Sequence, residues 1–142
     1  PESVDRHDDL FRLKGKVDAG AAFVVTQLFF EAATYVEFVS AARRMGITVP
    51  IIPGVMPIAN AEQVERIAKL CGASIPERLR RELELRRGDP QAALEFGVAW
   101  ATLQCADLLR HGAPGIHFYT LNRSGSTRAI LAALRAMQPW RR

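Results

Sequence analysis

A chain of 142 residues can form one ordinary domain with its own core, and a 49% hydrophobic composition with mean hydropathy of -0.00 places it among globular proteins. It contains no apolar run long enough for a membrane helix and no signal-peptide pattern near Pro1. The net charge of +4 is mildly basic, but Arg78, Arg80, Arg81, Arg86 and Arg87 alternate with Glu77, Glu82 and Glu84. That alternation marks a solvated helix face and argues against a nucleic-acid surface.

The two cysteines, Cys71 and Cys105, lie far apart without metal-ligand spacing. In apolar helical contexts they read as buried free thiols in a reducing, cytoplasmic setting. The chain starts at Pro1 without Met and continues directly into Glu2 and Ser3, as if cut from a longer one.

A first helix is expected from about Val4 to Ala19, with Leu10, Leu13 and Val17 as its apolar stripe. Asp9, Arg12 and Lys16 repeat the same spacing about 100° around the axis. Two readings stand for this charged row: a surface ion ladder, or a polar rail meeting the phosphates or hydroxyls of a cofactor. Gly20 ends the helix and leads into Ala21–Phe30, an apolar, β-branched run that reads as a strand buried on both faces. Gln27 sits at the carboxyl end of that run, where parallel strands carry functional groups. It is either a satisfied buried amide or a ligand-facing one.

A helix from about Glu31 to Met45 comes next, with Ala32, Tyr35, Val36, Val39 and Ala42 inward and Gly46 closing it. The second strand is Val49–Ile52, with Pro50 and Pro53 expected at its two ends because neither can donate to a ladder. Val55–Ile58 then forms an apolar loop. Asn60 and Gln63 have capping-box spacing, Gln63 reaching back to the Asn60 amide. Val64, Ile67, Ala68 and Cys71 form the buried face of that helix. Ser74 and Glu77 suggest a second, more exposed capped helix. Asp89-Pro90 opens a longer one running to about His111, apolar on two sides: Leu94, Val98, Ala101, Cys105 and Leu108 on one, Phe96, Trp100 and Leu103 on the other. The third strand is Gly115–Tyr119, in which His117 and Tyr119 read as packing residues. A final helix spans about Ser126 to Met137, and the Pro139–Arg142 tail is expected to be loosely ordered.

Three parallel-type strands, each followed by a helix, with Gln27, Pro53-Gly54 and Tyr119–Arg123 at their carboxyl ends, make an α/β fold. It is either a piece of a (β/α) barrel or a doubly wound sheet. Three strands cannot close a barrel.

Four segments decide between these: Leu13–Ala21, Thr26–Phe30, Ile51–Ile58 and His117–Arg123. Together and in this order they closely resemble the methylenetetrahydrofolate reductase family, over nearly the whole chain to about Leu134. The resemblance implies that residues 1–142 form a single partial domain, the C-terminal half of a (β/α)8 TIM barrel with its last three strands and a tail from about 135. It also implies an FAD-dependent reduction of 5,10-methylenetetrahydrofolate to 5-methyltetrahydrofolate with NADH or NADPH as co-substrate, in a protein that is a homo-oligomer at full length.

By motif, the resemblance makes Asp9, Arg12, Lys16 and Ser3 cofactor-binding residues, Lys16 offsetting pyrophosphate charge and Asp9 accepting from FAD hydroxyls. It makes Gln27, Gln63 and Arg123 substrate-binding residues: Gln27 beside pterin and nicotinamide, Gln63 on the folate, Arg123 on the folate's charged tail or its polar pterin edge. The competing reading of Gln63 is its cap, and of Arg123 a solvated first-turn residue. No metal is implied.

The chain departs from the family pattern in having Ile67 where some members place a stacking phenylalanine, and Ala22 in place of an acidic or amide residue. The family's general-acid glutamate and flavin-tuning aspartate belong to earlier strands and have no counterpart here, so the fragment alone is expected to be inactive. A different class of function also stands: a non-catalytic α/β binding module that docks on a partner chain.

Overall fold

The computed structural model describes residues 6–141; Ser3, Val4 and Asp5 lie outside the described residues. Nine elements occur in order: α1 (Arg6–Asp18), β1 (Val24–Leu28), α2 (Ala32–Arg44), β2 (Ile51–Val55), α3 (Ala61–Cys71), α4 (Glu77–Glu84), α5 (Pro90–Arg110), β3 (His117–Phe118) and α6 (Gly125–Met137). The strands form one parallel sheet in the order β1-β2-β3. This is the α/β arrangement expected, three successive strand–helix units of the barrel type, and the described residues leave it open.

Helix ends obey local chemistry. Asn60 accepts the Gln63 amide at 2.8 Å, and Asp89 accepts the Ala92 amide at 3.0 Å ahead of Pro90, so both caps form as the sequence indicates. The second arm of the Asn60 box differs from expectation: Gln63 Oε1 takes the Ala59 amide at 2.7 Å, one residue earlier than Asn60. Ser74 does not cap α4, whose N-cap is Pro76 without a side-chain bond. Gly46 comes after α2 with φ 76°, the left-handed conformation that ends a helix without a Cβ penalty.

Helices α2, α5 and α6 cover one face of the sheet. Tyr35, Ala42, Ile47, Ile51, Val55, Cys105, Leu108, Ile130 and Leu134 are buried there, with Leu10, Leu13 and Val17 of α1 packed against them. Each large aliphatic side chain in that layer contributes roughly 1.5–3 kcal/mol by leaving water. A second cluster lies at the carboxyl edge. Leu28 and Phe30 after β1, and Met56 and Ile58 after β2, are buried against Val64 and Ala68 of α3 and Leu79 and Leu83 of α4.

The structure corrects several expectations. The first strand is shorter than 21–30 and is not buried on both faces: Phe23 is 57% and Val25 37% exposed. The buried layer under α2, α5 and α6 lies on the sheet's other face, and these two side chains are left exposed. The second strand begins and ends later than expected, Val55 belongs to it, and Pro53 lies in its middle. Backbone alternation explains that position. The Gly54 amide points at β1, so the nitrogen of Pro53 faces β3, whose pairing begins only at Gly54↔His117; no donor is missed. β3 is just His117–Phe118, and Tyr119 comes directly after it. Leu103 is 64% exposed, so that side of α5 is only partly covered. Cys71 is half-buried. Pro139 in the tail is buried.

Candidate functional site

Parallel pairing gathers the carboxyl ends of all three strands on one edge, the edge where α/β folds bind ligands. Gln27 and Arg123 therefore belong to the same end of the sheet, with Gln63 in the first turn of α3, which packs over that edge.

The register between β1 and β2 breaks here. Val25 pairs with Ile52 and Leu28 with Gly54, so Thr26 and Gln27 together oppose Pro53 alone. This is a β-bulge, a device that re-aims a side chain where pairing ends. The Thr26 hydroxyl accepts the Gly54 amide and donates to the Gln27 carbonyl, both at 2.9 Å. The Gln27 side chain is exposed and its Oε1 accepts the Leu28 amide at 3.0 Å. A backbone N–H can only donate, so the amide oxygen must be the atom that faces it. Among the described residues no hydrogen bond engages the Nε2 group, which carries two donors. Gln63 repeats the arrangement, its oxygen engaged by the Ala59 amide.

Arg123 is exposed and closes a turn in which its amide donates to the Thr120 carbonyl at 2.9 Å. Leu121 and Asn122 between them have φ of 49° and 61°. For leucine this is an uncommon, costly conformation. It reverses the chain tightly enough to put Arg123 directly ahead of α6.

On α1, Asp9, Arg12 and Lys16 are exposed beside the half-buried stripe of Leu10, Leu13 and Val17. Arg12 is engaged by Asp8 at 2.9 Å, and Lys14 pairs with Asp18. Among the described residues no ion pair includes Lys16.

Sequence reasoning missed Tyr119, Gly54 and Thr26 as a set. The Tyr119 hydroxyl donates to the Thr26 carbonyl at 3.0 Å, spanning the middle strand. It can do so because Gly54 has no side chain: a Cβ there would stand 2.6 Å from the Thr26 carbonyl oxygen and 2.6 Å from Tyr119 Cε2. Burial, with a smaller contribution from Cys71, raises the Tyr119 pKa above its ordinary value and keeps the phenol a donor. His117 stands edge-on to the Tyr119 ring, with centroids 4.7 Å apart. The available signal was a Pro-Gly pair inside a strand, which marks a bulge or a close approach.

Two clefts lie elsewhere, one between Tyr35, Arg43 and His111 at the opposite end of the sheet, one between Leu109 and Trp140. Neither includes Gln27, Gln63 or Arg123, which line an open rim. Among the described residues no group of three or more His, Cys, Asp or Glu could hold a metal ion, and no helix is long and apolar enough to cross a membrane.

A parallel β/α rim carrying amide and guanidinium donors defines a binding edge of the α/β-barrel class. Within that class the affiliation is specific. The model of the family described as Methylenetetrahydrofolate reductase matches residues 1–135. The chain is 48% identical over 135 residues to the probable methylenetetrahydrofolate reductase (NADPH) of Caenorhabditis elegans, covering 94% of this chain and 20% of that protein. It is 40% identical over 150 residues to methylenetetrahydrofolate reductase (NADH) 1 of Arabidopsis thaliana, covering 100% and 25%. It is 34% identical over 134 residues to the 5,10-methylenetetrahydrofolate reductase of Pectobacterium carotovorum, covering 94% and 45%. In three dimensions it is similar to an uncharacterized protein from Clostridium thermocellum that binds two copies of 5-methyl-5,6,7,8-tetrahydrofolic acid. That match has a TM-score of 0.62 at 21% identity, covers 94% of this chain and 49% of the other, and speaks for the fold. The chain belongs to the methylenetetrahydrofolate reductase family. It spans 20% to 45% of the length of these three relatives.

Proposed function

We propose that this chain is the folate- and nicotinamide-facing part of a reductase that converts 5,10-methylenetetrahydrofolate to 5-methyltetrahydrofolate, using FAD and NADH or NADPH. The observation that carries the reading is the convergence of Gln27, Gln63 and the Arg123 turn on one rim. Both glutamine oxygens are held by backbone amides, so both residues offer N–H donors, which suit the carbonyl and ring nitrogen acceptors of a pterin or a nicotinamide. Arg123 supplies a planar cation for a glutamate tail.

The exposed row on α1 fits the polar part of FAD. Asp9 and Lys16 are about 10 Å apart along the axis at 1.5 Å per residue, so one can accept from hydroxyls while the other faces the pyrophosphate. Arg12, already paired with Asp8, is the weaker contact. Ser3 is proposed on the resemblance alone. Bound FAD would carry the hydride between nicotinamide and folate; the residues of this chain bind and orient. The general acid that assists opening of the folate ring is assigned to residues outside this chain; its loss would slow proton transfer roughly 10²- to 10⁴-fold. The same reading makes residues 1–142 one partial domain of a cytoplasmic homo-oligomer.

The test is to express the full-length protein, record its visible spectrum and assay NAD(P)H oxidation with and without a folate acceptor. A yellow protein with folate-dependent turnover supports the proposal; a colourless, inert one overturns it.

A further inference from the structure

We propose that Tyr119 is a positioning residue for Gln27, acting through the Thr26 carbonyl across the gap at Gly54. The inference rests on the reading of Gln27 as a ligand-facing donor and assigns what aims it. The register shift sets Thr26 and Gln27 together against Pro53, so the Thr26–Gln27 peptide lies where the regular ladder is interrupted. Groups from the other two strands hold it there. From β2, the Gly54 amide holds the Thr26 hydroxyl at 2.9 Å. From beyond β3, the Tyr119 hydroxyl holds the Thr26 carbonyl at 3.0 Å. The peptide plane so held carries the Gln27 amide nitrogen and sets the direction of its Cα–Cβ bond. The Leu28 amide then fixes the far end of the side chain through Oε1. With both ends tied, Nε2 is presented in one orientation at the rim.

Gly54 is part of the device. Any larger residue would collide with the Thr26 carbonyl oxygen and with the Tyr119 ring, each at 2.6 Å from its Cβ, and would push apart the two groups that must meet. His117, packed edge-on against the ring, limits its swing.

Tyr119→Phe in the full-length protein keeps the ring over Gly54 and removes only the hydroxyl. Calorimetric binding of 5-methyltetrahydrofolate should weaken roughly three- to tenfold, the worth of one oriented hydrogen bond, while flavin content stays the same. In a Gln27→Ala background the same substitution should change affinity by less than about twofold, because nothing remains to be aimed. An equal loss in both backgrounds overturns the inference, since Tyr119 would then act on the ligand itself or on the whole fold. The crystal structure of the full-length Tyr119→Phe variant gives a readout without any folate: the Gln27 amide should be displaced or spread over several positions. A Gln27 side chain that stays in place overturns the inference whatever the ligand proves to be. Wild-type protein that binds no folate would sink the proposed function, and the crystallographic comparison would then decide the inference alone.

Discussion

Trp100 and Phe30, 70 residues apart in sequence, are joined by a hydrogen bond of 3.0 Å from the indole N–H to the Phe30 carbonyl. One helical turn further along α5, Gln104 donates from Nε2 to the Phe29 carbonyl at 2.7 Å. Residues 29 and 30 have left β1 and have no ladder partners, so α5 satisfies their carbonyls and grips the turn just beyond Gln27. Trp100→Phe and Gln104→Leu each strand a sheltered carbonyl and should lower stability by about 1–3 kcal/mol. Urea unfolding of the full-length variants checks this; shifts near zero would mean that water replaces the side-chain donors.

Gly54→Ala should be worse than an ordinary overpacking change. Its Cβ meets a backbone oxygen, which cannot swing aside as the end of a side chain can. The expected cost is about 1–3 kcal/mol or more, with weakened folate binding alongside. Thermal unfolding and calorimetry on the same sample separate the two effects, and a variant as stable as wild type would contradict the close approach.

Gln27→Ala removes the two Nε2 donors together with the Oε1 that accepts the Leu28 amide. If this amide serves both substrates in turn, reduction of the flavin by NAD(P)H and its reoxidation by the folate should each slow by roughly tenfold or more. Rapid-mixing measurements of the two half-reactions decide it. A variant that merely loses flavin would show that Gln27 has been assigned to the wrong ligand.

Lys16 and Arg12 should differ in their effect on flavin retention. Arg12 is held by Asp8 at 2.9 Å, whereas no described ion pair occupies Lys16. Lys16→Met should weaken FAD binding about 10- to 100-fold, the range of a charge-assisted contact, and Arg12→Ala by far less. Fluorescence titration of the deflavinated full-length protein gives both constants. Equal losses would place Arg12 on the cofactor as firmly as Lys16.

The alternation of strand and helix is legible because apolar spacing changes period at Gly20 and Gly46, and because Asn60 and Asp89 cap the helices that begin beside them. Partnership is not legible in the same way. Phe23, Val25 and Leu103 are apolar enough to predict burial, yet hydrophobicity records a preference and does not identify the element that covers a face. The rule against central prolines pushes Pro53 to a strand end because it ignores which neighbour the missing donor would have faced. The rim itself is readable in part: Gln27, Gln63 and Arg123 stand out as polar groups at carboxyl ends. The bulge that aims Gln27 does not, because it arises from contacts among residues 26, 54 and 119, far apart in sequence and individually ordinary.

Cys105 gives a pH dependence with a definite sign. It is fully buried in the helix-covered layer, and burial alone pushes its thiol from 9.0 up to about 12. Below pH 9 the thiol is protonated both folded and unfolded, so it adds no pH dependence. Between pH 9 and about 12 the unfolded chain releases its proton while the folded one retains it. The unfolded state then binds fewer protons, and stability falls as pH rises, by up to about 1.4 kcal/mol per unit. Tyr35 and Tyr119, also raised by burial, add to the alkaline loss above their ordinary range. Cys105→Ala should therefore flatten the stability profile from pH 9 upward and leave its neutral slope alone. Denaturant titrations of the full-length protein between pH 7 and about pH 10.5 test this. An unchanged alkaline slope would mean that the thiol reaches water in the native state, and iodoacetamide would then label Cys105 as readily as the half-buried Cys71.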